Sequence, residues 1–226
     1  MLKAPNLLND DGTASMATAL MMSHHGFRRD LARFASALAR VAAGDTARAG
    51  AVQAEWQKFH ATLHGHHQAE DQGMFPHLAS QEPSVRGTIE KLGADHRQID
   101  PLLERGDRAF ADLSKTDEAL AVVRELQALL HPHLALEEAE LIPFIRGAKE
   151  FPPPPTDEVT EMYAQGFAWA MNGIAPVVVE RVTGILPQSV IARLPAAREA
   201  YDRRCREVWG SADEGAATTP IPDDAA

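Results

Sequence analysis

The sequence holds a single cysteine, Cys205, among 226 residues. An intramolecular disulfide is therefore excluded, and so is a zinc or iron–sulfur site built on thiolates alone. The chain suits a reducing compartment. Aromatic residues amount to 6%, and β-branched residues are few beside Ala, Leu, Glu and Arg, which favours helix over sheet. No apolar run approaches the ~18 residues of a membrane span, so membrane insertion is not expected. A signal peptide is not expected either. The start carries Asp10 and Asp11 instead of a basic segment, and the short apolar stretch 14–22 runs directly into Ser23-His24-His25. The expected location is the cytoplasm. Positive charge is also in deficit: 22 Lys and Arg stand against 32 Asp and Glu, a formal net charge of −10. Such a chain does not dock on phosphate backbones, and no nucleic-acid partner is expected. The apolar content of 45% supports a packed core and excludes global disorder. The length fits one domain with an extension, or two small domains.

What the sequence does have is histidine. There are ten, eight of them before residue 102. Four helical patterns precede the run Phe151-Pro-Pro-Pro-Pro155, which cannot be helical and reads as a stiff connector. The predicted helices cover 14–43, 46–80, 84–113 and 116–147. Their apolar stripes are Leu20, Phe27, Leu31 and Leu38; Phe59, Leu63 and Met74; Ile89, Leu92, Ile99, Leu103 and Phe110; and Leu126, Leu130, Leu141 and Phe144. Each stripe is interrupted by a histidine, and in the second and fourth also by a glutamate. Long amphipathic helices with short connections predict an all-α fold, an antiparallel up-down four-helix bundle. The expected organisation is an N-terminal segment 1–14, a bundle 15–148, a Pro-rich linker 149–156, a C-terminal helical extension 157–210 and a disordered tail 211–226.

The second and fourth helices repeat one another at an offset of 67 residues. Phe59 matches Leu126, Leu63 matches Leu130, and His64 matches His131. His66 matches His133, Glu70 matches Glu137, and Asp71 matches Glu138. Met74 matches Leu141, Phe75 matches Ile142, and Pro76 matches Pro143. His-x-x-x-Glu places both side chains on one helix face, about 40° apart. Imidazole with carboxylate suits iron, manganese or zinc. Two such pairs, with His24 and His96 from the other two helices, give four imidazoles and two carboxylates in a bundle core. That donor set fits two metal ions, with the glutamates able to bridge them.

In these residues the sequence resembles the hemerythrin-like, His-His-Glu cation-binding family. The resemblance is carried by His24-x-x-Phe27-Arg-Arg-Asp-Leu31, by Leu63-His-Gly-His-His-Gln-Ala-Glu70-Asp71 with Phe75-Pro76, by Asp95-His96, and by His133-Leu-Ala-Leu-Glu137-Glu138 with Ile142-Pro143. It covers about residues 15–148. It implies a non-haem centre of two iron ions, oxo- or hydroxo-bridged, held by His24, His66, Glu70, His96, His133 and Glu137. The small ligand it implies is diatomic or peroxidic: O2, H2O2 or NO. Oxygen-carrying members have a further histidine one turn after the third-helix ligand, where this chain has Asp100. Asp100 is then either a carboxylate ligand or the mark of an open position, and an open position favours reaction with peroxide or NO over oxygen carriage. Whether the centre turns over as an oxidoreductase stays open. The alternative is a non-catalytic iron-binding or iron- and oxygen-sensing module that signals through its C-terminal helices.

The remaining histidines have weaker claims. The spacing to Phe27 and Leu31 favours His24 over His25. His60, His64, His67, His77 and His131 are expected at the surface or behind a ligand, and so are Asp71 and Glu138. Pro132, inside the fourth helix, should kink it. Residues 157–210 should form two or three helices packed on the bundle; a partner-binding or lipid-facing surface is the alternative.

Overall fold

The computed structural model describes residues 6–210, whose regular structure is all helical, with no strand among them. The expected tail 211–226 and the first five residues lie outside the described part. None of the described helices is long and apolar enough to cross a membrane.

The chain forms two compact units that do not follow its order: residues 30–141 make one, and the described residues of 1–29 and 142–226 make the other. Helix α1, Met16–Ala42, contributes to both.

In the unit 30–141, the end of α1 is followed by α2 (Ala49–Ala69), α3 (Phe75–Gln81), α4 (Arg86–Phe110) and α5 (Asp117–Glu140). Contacts fix the direction of three of them. Trp56 Nε1 donates to Asp107 at 2.9 Å and the His96 ring bonds Asp71 at 3.0 Å, so α4 runs antiparallel to the chain through α2. Arg105 bonds Glu125 at 2.9 Å while Asp95 lies 3.5 Å from His133, so α5 is antiparallel to α4. One end of the unit is closed by aromatic packing. Trp56 stacks on Phe110 with centroids 4.3 Å apart, and Phe34 meets Trp56, Phe59 and Phe110 edge-on. Gly106 allows this approach, because a Cβ there would run into the Trp56 indole.

The second predicted helix is interrupted. Between α2 and α3, residues Glu70–Met74 form a π-turn, in which the Phe75 N–H reaches the Glu70 carbonyl five residues back. Pro76 supplies the reason: it has no N–H for the carbonyl of Gln72, and its ring crowds that carbonyl, so the ladder widens ahead of it. The fourth predicted helix breaks at the matching place. α5 ends at Glu140, and a single turn, α6 (Ile142–Ile145), follows around Pro143. Phe144, expected on the buried stripe, is consequently 44% exposed. α5 is continuous across Pro132.

In the other unit, residues 146–156 are non-helical, and four helical segments follow, where two or three were expected: α7 (Asp157–Ala170), α8 (Pro176–Thr183), α9 (Gln188–Ile191) and α10 (Leu194–Trp209). Thr156 caps α7 by accepting from the Val159 N–H at 3.2 Å. The first half of α1 packs here through Gly26, where a Cβ would lie 2.5 Å from Trp169. It also packs through Arg29, whose buried guanidinium donates to the carbonyls of Trp169 and Asn172 at 3.0 and 2.7 Å. Cys205 is buried.

Candidate metal centre

Opposite the aromatic end, the unit 30–141 buries histidines and carboxylates that no hydrophobic core requires. His67, Glu70, His96 and His133 each bring a ligand-type atom to within 4.8 Å of the other three. His66, Glu70 and Glu137 do the same among themselves. Glu70 is common to both sets, whereas Glu137 is in one. α2 supplies His66 and His67, the π-turn supplies Glu70, α4 supplies His96, and α5 supplies His133 and Glu137.

Local contacts aim these groups. The Glu70 carboxylate approaches His66 Nε2 at 2.8 Å and His96 Nε2 at 3.4 Å. The His96 Nδ1 faces Asp71 Oδ1 at 3.0 Å, which fixes the ring and turns Nε2 inward. Phe75 stacks on His96 with centroids 5.6 Å apart. Burial disfavours charge on His96, but the hydrogen bonds and charges of Glu70 and Asp71 outweigh it and raise its pKa. His67 goes the other way: burial, then the neighbouring His96 and His66, push it down to about 2, so it is neutral.

His67 also provides the test of whether a cation fits. It is 2% exposed, and neither of its ring nitrogens has a hydrogen-bond partner. Leaving a polar group buried in this way costs about 1–3 kcal/mol. A neutral imidazole offers a lone pair, the carboxylates beside it offer charge, and a divalent cation answers both. The donor set fits a cation and would be costly without one.

Of the residues singled out in the sequence, the structure brings together His66, Glu70, His96, His133 and Glu137. His24 is fully buried but belongs to the other unit, on the α1 helix that continues into this one. His25 is buried as well. His67, expected at the surface or behind a ligand, is buried within the cluster. Its signal was present in the sequence: it stands one turn after Leu63 and three residues before Glu70, at the edge of the apolar stripe, and a core-facing stripe is at least about 100° wide. The sequence leaves Asp100 as either a ligand or the mark of an open position. Its side chain is 48% exposed and meets the solvent-facing His64 at 3.3 Å, outside both donor sets. His77 and His131 are exposed and His60 bonds Asp107 at 2.9 Å. Asp71 is exposed and backs His96, as its position suggested, whereas Glu138 is buried.

Fold and site together define an all-helical protein with a buried His/Glu cluster suited to binding a cation. The model of the hemerythrin HHE cation-binding domain matches residues 15–145. The chain belongs to that family. No curated protein and no solved structure matches it.

Proposed function

We propose that the cluster is a non-haem di-iron centre of the hemerythrin type, held by His24, His66, Glu70, His96, His133 and Glu137, and that it binds or reacts with O2, H2O2 or NO in the cytoplasm. The observation that carries the two-metal reading is the membership of Glu70 in both donor sets. A carboxylate has two oxygens and can serve one metal with each, and a mixed imidazole and carboxylate set suits iron. His24 enters by helix geometry. It precedes Leu31 and Leu38 at seven-residue intervals, within about 40° of both around the α1 axis, and all three are fully buried.

Bound iron would supply exchangeable positions at which a small ligand can bind. The chain's own residues do the rest. Asp71 holds the His96 ring so that Nε2 is the ligating atom. Phe75, buried against the His96 ring, keeps bulk water from it. Glu70 opens the π-turn and lies 3.4 Å from His96 Nε2, while His66 and His67 lie in α2 just before it.

The test is metal content and the optical spectrum after anaerobic loading with ferrous iron and exposure to oxygen or peroxide. The expected result is two irons per chain with near-ultraviolet absorption of a bridged ferric pair. One iron per chain would sink the dinuclear reading. A second reading, metal sensing without turnover, draws on one observation: His24 belongs to the unit that contains the C-terminal helices. It predicts metal-dependent binding of a protein partner to 157–210 and no consumption of peroxide.

A further inference from the structure

The six-residue ligand set omits His67, whose ring nitrogens packing alone does not employ. We infer that His67 is a metal ligand of this centre, supplying the further imidazole at the place where α2 meets the π-turn. The inference rests on the di-iron reading above.

Three observations carry it. First, both ring nitrogens of His67 are buried without a partner, while a nitrogen of the ring lies within 4.8 Å of ligand atoms of Glu70, His96 and His133. Its ring stacks on His96 with centroids 4.1 Å apart and stands edge-on to His133 at 5.6 Å, so it shares their pocket. Second, the offset of 67 residues places Leu134 at the matching position of α5, and Leu134 is also fully buried. A leucine therefore suffices where only space must be filled, whereas a histidine there leaves two buried nitrogens without partners. Third, α4 offers no competing donor one turn beyond His96, because Asp100 is turned to His64 and solvent. The extra imidazole leaves the centre with one exchangeable position fewer than the six-ligand set. It moves the expected behaviour toward reversible binding of a small ligand and away from rapid peroxide turnover.

The test uses the full chain and two metals, zinc(II) and iron(II). In wild-type protein labelled with 15N-histidine, titration with zinc should shift the ring nitrogen of His67 along with those of His66, His96 and His133. In His67→Leu, which copies the leucine of α5, affinity at one of the two metal positions should fall more than 100-fold in a chelator competition, beyond the roughly 10–100-fold cost of losing an outer-shell partner. Helical content by circular dichroism should stay unchanged. A His67 resonance that does not move with zinc, in protein that binds two metals, overturns the inference and leaves the di-iron reading standing; the wild-type measurement decides this even if the variant does not fold. Equal affinity of wild type and His67→Leu overturns it too. Wild-type protein that fails to take up two metals overturns the di-iron reading itself, and the inference with it.

Discussion

Residues 59–76 and 126–143 carry the same pattern at a fixed offset, yet they become different structures. In the first, His66 and His67 both enter the cluster, the backbone widens into a π-turn from Glu70, and Asp71 reaches back to the His96 ring. In the second, His133 enters alone beside Leu134, α5 stays regular through Glu137, and it breaks only at Leu141. Both halves answer the same local problem, a proline six residues after the glutamate. One spreads the strain through a turn that contains the glutamate, and the other confines it to a residue beyond it. The first half thus delivers more donor atoms to the cluster than the second, and Glu70 is its pivot.

Breaking that pivot should have the largest effect. Glu70→Ala is expected to abolish loading at both metal positions, whereas Glu137→Ala should leave one metal per chain after reconstitution, counted by elemental analysis. Equal losses would mean the halves are equivalent in function despite their shapes.

The next contrast concerns the metal-free protein. Leu134→Ala opens a cavity in a fully buried site and should lower the stability to urea by about 2–5 kcal/mol. His67→Leu removes two buried nitrogens that lack partners and should raise it by about 1–3 kcal/mol. A loss of stability in both variants would show that His67 has a structural partner.

Asp71 sharpens the comparison further, since it serves the first half by holding His96. Asp71→Asn keeps the shape but weakens the acceptor, and should cost about 10–100-fold in metal affinity with little change in helical content. The smallest effects belong to the prolines. Pro76→Ala and Pro143→Ala should each cost about 0.4–1 kcal/mol through the freer unfolded chain. If the π-turn depends on Pro76, that variant alone should also weaken metal binding, because Glu70 would return to a regular helix.

Much of this was legible in advance. The helices of the unit 30–141 lie close to the predicted spans, and the residues picked from their stripes, His66, Glu70, His96, His133 and Glu137, meet in space. The π-turn was not predicted, although Pro76 and Pro143 stood in matching places in the repeat. A proline states that a carbonyl will lose its partner, but not whether the ladder widens or breaks. The partition of the chain, with 6–29 and 142–210 in one unit, left no mark in the order of the sequence.

The sequence by itself determined the helical class, the faces that are buried and the type of donor placed on them, because a period of 3.6 residues and the chemistry of imidazole and carboxylate are properties of the local chain. The tertiary structure alone decided which residues at the edge of a stripe are buried. His67 became part of the cluster because α4 and α5 bring His96 and His133 against its ring, whereas the Asp100 side chain is half-exposed and meets His64. Burial at a stripe's edge depends on the neighbouring helix, and no single helix encodes its neighbour's position.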